Sequence, residues 1–419
     1  MLKILMISGC VYAKKCGRKS FTGLDYVVSD IAEKIGEQSD ITVFTTTPYP
    51  KTSELPNAKI KSYSYVQLLP YINKEKTEIL QILKKNNIKI REKIKLIRAV
   101  LLSELVTELC KNEHFDLISM QGVGHCNYIL ARAAKNMHIP ILYSLHGLLS
   151  FGAPNIDYID RIAEQELLKY IKHKSDTLTV VSEGIKKLIC EKYNIDQQFV
   201  CVFNNAIKIG VNNGEICSKE REHIKDDINI ISVGTLCERK NQIQLIRAYE
   251  LLPEEIKNKC KISLVGKDET NGEIEKYIVD NHLEEAIKIC GFLSKQEVAK
   301  LYLSSTFNVM LSISEGFGLS MIEAAYCGIP TLTFDDLDAA HDIYSEDSMI
   351  LLRERSDEAV CAGLLDMIDK KWNAEKIRES VKQFNTDNYL QYLQKFEELC
   401  ANKNNIIDID FLDNLLRKI

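Results

Sequence analysis

Nowhere does the chain reach about 18 uninterrupted apolar residues, so no membrane-spanning helix is expected from it. It has no Cys-x-x-Cys pair, and its eight histidines show no metal-ligand spacing, which removes zinc fingers and ribbons from consideration. The 13 cysteines are odd in number and scattered from Cys10 to Cys400, a pattern of reduced thiols in a cytoplasm rather than of a disulfide framework. With one tryptophan, 8 prolines and 19 glycines, collagen-like and disordered compositions are excluded as well. The first ten residues end in Ile7-Ser8-Gly9-Cys10, as a lipoprotein leader would. Their apolar run is shorter than the roughly 7 to 15 residues of a leader, and Lys14, Lys15, Arg18 and Lys19 follow, so the segment reads as a first β-strand.

An excess of charge of one sign is also missing: 54 basic and 59 acidic residues leave −5, and no nucleic-acid partner is expected. The distribution is uneven. Residues 1–200 hold 28 basic and 21 acidic side chains, a net +7, and residues 201–419 hold 26 and 38, a net −12. A chain of 419 residues, 45% hydrophobic and 27% charged, is long enough for two or three globular domains at roughly 100 to 200 residues each.

Strand-length apolar runs alternate with longer helical patterns. Residues 3–8 read as a strand, 24–35 as a helix and 41–46 as a strand; the grammar recurs at 117–120, 127–136, 141–144, 158–173 and 177–181. Residues 208–227 are polar and aperiodic, the best linker candidate, and after them the pattern restarts with strands at 228–233, 261–265, 287–290 and 307–313. The expected fold class is α/β, two doubly wound parallel-sheet domains in tandem, 1–207 and 208–385, with a helical segment over 386–419 that packs back on the first. In such sheets ligands bind beyond the carboxyl ends of the strands.

From Lys74 to Arg98 there are nine Lys or Arg against three Glu, with apolar residues at helical spacing. This reads either as a solvated helix pair packed on the first domain or as a peripheral contact with an anionic membrane surface.

The most informative stretch runs from Ser314 to Pro330. A strand ends, Gly316 and Gly318 give a permissive loop around Phe317, a helix opens at Leu319 and Ser320, and Gly328 with Pro330 closes it. Backbone N–H groups at that helix start suit a phosphate. Glu315 and Glu323 flank the same place, which suits a ligand with sugar hydroxyls on both sides of a diphosphate.

Glu-Gly-Phe-Gly-Leu-Ser-x-x-Glu-Ala-x-x-x-Gly-x-Pro resembles the donor-site motif of the retaining glycosyltransferases of family 4, which have the GT-B fold of two Rossmann-like domains facing across a cleft. The segment from Val233 to Asn241 is similar to the strand and loop that open their second domain. The resemblance implies that Lys240 neutralises the donor diphosphate, with Thr235 standing where the family commonly has Arg and with Arg239 as a second cation. It also implies that Glu315 binds sugar hydroxyls, Glu323 the ribose, and His146, in Tyr-Ser-Leu-His-Gly, the transferred sugar. Gly23, in Phe-Thr-Gly-Leu, matches the glycine loop of the first domain, and Val202 to Ile207 resembles an Asn-Gly-Val element with Ala206 in place of Gly.

The expected activity is transfer of a hexose-type sugar, with retention, from a UDP- or GDP-linked donor to a hydroxyl of a glycan or lipid-linked glycan, on the cytoplasmic side of a membrane. No cofactor and no metal are expected; Asp335-Asp336-x-Asp338 reads as an acidic loop. Other readings are a phosphorylase or nucleotide-sugar epimerase on the same scaffold, or a sugar-nucleotide-binding subunit without turnover. A nicotinamide oxidoreductase ranks last, since no complete Gly-x-Gly-x-x-Gly follows the first strand and Asn127 stands where a third glycine would complete Gly122-x-Gly124.

Overall fold

The computed structural model describes residues 1–18, 21–50, 52–149, 156–171, 177–208, 227–401 and 411–419. Contacts divide the chain into one unit of Met1–Ala206 with Thr386–Ile419 and a second of Ile207–Asn385. The linker expected over 208–227 falls almost wholly outside the described residues.

The sheet of the first unit contains β1 (Lys3–Ser8), β2 (Asp40–Thr45), β3 (Ala58–Lys61), β4 (Leu117–Gln121), β5 (Ile141–Leu145), β6 (Leu178–Val180) and β7 (Val200–Val202). All pairings are parallel, in the order β3-β2-β1-β4-β5-β6-β7. Parallel strands need crossovers that cover both faces, and this is why β1 can be Ile4-Leu5-Met6-Ile7 without a polar break: all four are fully buried. The helix Gly23–Ile35 starts after β1 at a capping box, in which Asp25 N–H donates to Thr22 Oγ1 and Thr22 N–H to the Asp25 carboxylate.

The sheet of the second unit is also wholly parallel, ordered β10-β9-β8-β11-β12-β13. Its strands are β8 (Ile228–Val233), β9 (Cys260–Val265), β10 (Ile287–Gly291), β11 (Phe307–Met310), β12 (Thr331–Phe334) and β13 (Met349–Leu352). Its core gathers Ile231, Leu264, Phe307, Leu332, Phe334 and Leu364 between sheet and helices.

The sequence pattern carries a strand over 307–313, but β11 ends at Met310. Residues 311–314 leave the sheet, and Ile313 N–H donates to the Arg239 carbonyl at 2.8 Å. The strands β3, β7 and β13 have only three or four residues each, too short to show a period. The helix expected over 158–173 is described as Tyr158–Ile171, and its last two residues lie outside the described set.

The segment after residue 385 builds into the first unit. Tyr389 Oη accepts the Ala206 N–H at 2.9 Å, and Tyr392 meets Phe203 edge to face at 4.8 Å. Phe411 meets Tyr128 at 4.5 Å, and Asn414 Nδ2 donates to Tyr128 Oη at 3.0 Å. Among the described residues no helix is long and apolar enough to cross a membrane.

Candidate functional site

Strand order reverses between β8 and β11 in the second unit, and the two strands are neighbours, with Phe307 opposite Ile230 and Asn308 opposite Ile231. At such a switch point the connections leave on opposite sides and open a crevice at the carboxyl ends. The loop after β8 carries Thr235, Arg239 and Lys240, and the loop after β11 carries Glu315. Two segments 75 residues apart in sequence meet there because their strands pair.

Lys240 Nζ donates to Glu315 Oε1, with the side chains 15% and 9% exposed. Arg239 Nη1 donates to the Ser314 carbonyl at 2.7 Å and stands 3.3 Å from Glu315 Oε1. Burial by itself pushes the Glu315 carboxyl up. The attraction of Lys240 and Arg239 and the hydrogen bond from Lys240 outweigh it and hold the carboxyl below its usual range, so Glu315 is ionised at neutral pH. Arg239 is therefore more than a solvated surface cation: its guanidinium and its backbone both tie the β8 loop to the β11 loop.

Lys240 closes the short 3-10 turn Glu238–Lys240; Asn241 follows in the left-handed region (φ 53°) and starts the helix Gln242–Glu250. The Lys240 stem lies across Gly234, where a Cβ would stand 3.2 Å from Lys240 Cε. Two residues that the sequence pattern did not single out fix this loop. Gly266, directly after β9, has φ +150°, and a Cβ on it would fall 2.0 Å from the Gly234 carbonyl oxygen. Gln242, 2% exposed, donates from Nε2 to the Thr235 carbonyl at 3.1 Å, and its Oε1 accepts the Cys237 N–H at 3.4 Å. The only sequence signals were a glycine at a strand end and a glutamine at the start of a helix.

Gly318, at φ 78°, is the N-cap of the helix Leu319–Tyr326 and offers no side chain to the free N–H groups behind it. Phe317 is buried, and its ring meets Phe384 edge to face at 5.5 Å, which anchors the loop between Gly316 and Gly318. The Ser320 hydroxyl turns inward onto Met310 Sδ at 3.3 Å, leaving its backbone N–H as the group open to a phosphate reading. Leu319 and Glu323 are half-buried, with Glu323 in the second turn of the helix.

His146 belongs to the first unit and follows β5. Gln121 Nε2 donates to Ser119 Oγ at 2.8 Å, so Gln121 Oε1 is the acceptor for His146 Nε2–H, also at 2.8 Å. This leaves Nδ1 as the bare acceptor nitrogen, buried and without a partner among the described residues. Burial pushes the imidazole pKa down to about 4, against a smaller upward pull from the Asn205 side chain, so His146 is neutral at neutral pH. Gly23 is exposed in the first turn of the helix Gly23–Ile35.

Two other features hold protein groups. The helix His125–Met137 behind Gly122-x-Gly124 has its N-terminus on Asp160, which accepts His125 N–H at 2.8 Å and lies 2.6 Å from His125 Nδ1. A Cβ at Gly124 would fall 2.8 Å from the same carboxylate oxygen. Arg355, after β13, grips with Nε and Nη2 the two oxygens of Asp336 in the loop after β12, at 2.7 Å each. Among the described residues no group of three or more His, Cys, Asp or Glu is placed to hold a metal ion.

The family model for Glycosyltransferase Family 4 matches residues 22–210, and that for glycosyl transferases group 1 matches residues 215–384. An uncharacterized glycosyltransferase of Methanocaldococcus jannaschii is 24% identical over 55% of this chain and 60% of its own length. The N-acetylgalactosamine-N,N'-diacetylbacillosaminyl-diphospho-undecaprenol 4-alpha-N-acetylgalactosaminyltransferase of Campylobacter jejuni is 26% identical over 55% of this chain and 60% of its own. The chain thus spans about three fifths of the length of these relatives. Among solved structures, sucrose-phosphate synthase from Thermosynechococcus elongatus matches with a TM-score of 0.73 at 17% identity, covering 96% of this chain and 100% of that one. Anabaena HepE in complex with UDP and glucose matches with a TM-score of 0.66 at 16% identity, covering 95% and 100%. The two family models follow one another along the chain, and by them and by its two parallel-sheet units the chain belongs to family 4 of the glycosyltransferases, with the GT-B fold.

Proposed function

We propose that the chain transfers a hexose-type sugar, with retention at the anomeric carbon, from a nucleoside-diphosphate donor, UDP- or GDP-linked, to a hydroxyl of a glycan or lipid-linked glycan. The observation that carries this reading is the buried Lys240–Glu315 pair at the switch point of the second unit, beside the uncapped start of the helix Leu319–Tyr326. A cation and free N–H groups suit a diphosphate; a carboxylate held ionised suits the hydroxyls of a sugar.

In this reading the bond between the anomeric carbon and the diphosphate oxygen breaks, the acceptor oxygen bonds to the same face, and the departing diphosphate takes the acceptor's proton. The protein contributes orientation and charge. Lys240 neutralises the leaving diphosphate together with the backbone N–H groups of Gly318, Leu319 and Ser320. Glu315 holds sugar hydroxyls, Glu323 the ribose, and His146 the transferred sugar. Gly23, Thr235, Gly316 and Phe317 shape the loops, while Arg239 serves mainly to join two of them. The proposal includes no metal and no cofactor, so turnover survives chelation of divalent cations. An acceptor on a lipid diphosphate at the cytoplasmic face agrees with the net +7 of residues 1–200 and with the carrier in the name of the Campylobacter relative.

The test is to incubate the protein with UDP- and GDP-sugars and lipid-diphosphate-linked glycans, and to read the anomeric configuration of the product by NMR. An inverted product, or donor loss to free phosphate without an acceptor, contradicts the proposal. A second reading is favoured by Thr235, where the family commonly has Arg: a subunit that binds the sugar nucleotide without turnover. Nucleotide binding with no product from any donor would select it.

A further inference from the structure

Of the sixteen large apolar side chains exposed among the described residues, eight fall between Tyr65 and Ile94. They include Val66 at 71%, Ile90 at 68% and Ile94 at 61% exposed. The stretch does not lack an inner face. Ile82, Ile88 and Leu96 are buried, and the helices Tyr71–Lys74 and Lys76–Lys84 pack on the helix Ile90–Glu113. The exposed set is left over once packing on the unit is complete, and such a surplus concentrated in one stretch of the chain marks an interaction surface.

Charge sorts by side in the same stretch. The three acids turn inward: Glu75 accepts from Arg132 Nη1 at 2.8 Å, Glu78 stands 3.6 Å from Arg132, and the buried Glu92 accepts the Lys89 N–H at 2.9 Å. Lys76, Lys84, Lys89 and Arg91 stay exposed with no ion pair among the described residues. Lys93 Nζ donates to the Leu83 carbonyl at 2.7 Å, which leaves its charge without a carboxylate. Outward, the side chains of this stretch are therefore apolar and cationic; the acids that meet it come from the helix Ile90–Glu113, where Glu104 pairs with Lys74 and the exposed Glu108 accepts from Tyr71 Oη.

We propose that this face, from Tyr65 to Ile94, docks on an anionic lipid bilayer, its aliphatic side chains entering the headgroup boundary and its Lys and Arg side chains meeting lipid phosphates. Apolar residues interleaved with cations are what an interfacial surface requires, and each basic residue near such a membrane adds to the attraction. A second copy of the chain fits poorly, because an isologous contact would set Lys84, Lys89 and Arg91 against the same cations. That a lipid-linked acceptor is delivered there rests on the transferase reading; the docking itself does not.

The test is cosedimentation with phosphatidylcholine vesicles, with and without phosphatidylglycerol. It compares the full chain with the variants Leu83→Gln/Ile90→Gln/Ile94→Gln and Lys84→Gln/Lys89→Gln/Arg91→Gln. All six positions are exposed, and an unchanged melting temperature shows that both variants are folded. The intact protein is expected to bind the phosphatidylglycerol vesicles selectively, the charge variant to partition about 100-fold less and the apolar variant to lose that binding. No binding, equal binding to neutral and anionic vesicles, or a concentration-dependent dimer that the apolar variant dissolves would overturn the proposal. Stabilisation by nucleoside diphosphates, measured on the same samples, is expected to be equal in all three proteins. Its loss everywhere with vesicle binding intact would remove the donor reading and leave the docking face standing.

Discussion

Lys240 and Glu315, 75 residues apart, share a hydrogen bond at the switch point of the second unit, with Arg239 3.3 Å from the same oxygen. One Lys240 N–H is used on Glu315, and an ammonium has three. The pair fixes the direction of Lys240 while its remaining donors stay available for a diphosphate. In the proposed reaction, replacing Lys240 by Ala removes a transition-state donor, and it leaves Glu315 buried beside Arg239 alone. Turnover is expected to fall about 10²- to 10³-fold, as seen in single-turnover rates with saturating donor. Glu315→Gln keeps the shape of the loop but loses the charge, and should weaken sugar discrimination more than nucleoside-diphosphate binding.

The same pair makes stability depend on pH. The Glu315 carboxyl is held below its ordinary value of 4.5, so the native state binds its proton less readily than the unfolded chain does. The stabilisation is complete above about pH 4.5 and is lost as pH falls through the depressed native value. Urea unfolding below about pH 4.5 should show a shallower loss of stability with falling pH in Glu315→Gln than in the wild type.

His146 supplies a window at higher pH. With the imidazole pushed down from 6.5 to about 4, the unfolded chain takes up the proton first, so this contribution is present above pH 6.5 and disappears between pH 6.5 and 4. In a histidine NMR titration the His146 ring signal should stay in its neutral position until well below pH 6. Burial is the main cause, so Gln121→Leu should leave that value low while lowering turnover, because the acceptor for Nε2–H is gone.

Gly266→Ala tests the support of the Lys240 loop. The new Cβ has no room beside the Gly234 carbonyl, and its backbone sits in a region that side chains rarely adopt. A loss of about 1 to 3 kcal/mol or more in unfolding free energy is expected, with weaker nucleoside-diphosphate binding in calorimetry.

The sequence carried the parallel-sheet architecture because long apolar runs such as Ile4 to Ile7 and regularly spaced helix faces leave a period. It also carried Lys240 and Glu315, since each sits in a loop with a resemblance of its own. Their hydrogen bond was not readable, because it depends on β8 and β11 being neighbours, a matter of strand order and not of spacing. Gly266 and Gln242 were hidden for the same reason: each acts on a backbone that is distant in sequence or folded back upon it. Arg239 was readable as a cation, but not as the tie to Ser314. The outward sorting of charge between Tyr65 and Ile94 needed the fold, since Glu75 and Glu78 become inward residues only when Arg132 on another helix meets them.

The most direct measurement is the thermal stability of the wild type and of Glu323→Ala in the presence of UDP, GDP, ADP and NAD. A ligand at about 100 times its dissociation constant adds near 2.7 kcal/mol to the native state. One nucleoside diphosphate, UDP or GDP, should raise the melting temperature of the wild type, and the rise should vanish in the folded Glu323→Ala variant. Stabilisation by NAD alone, or by no nucleotide, would contradict a sugar-nucleotide site at Lys240, Glu315 and Glu323.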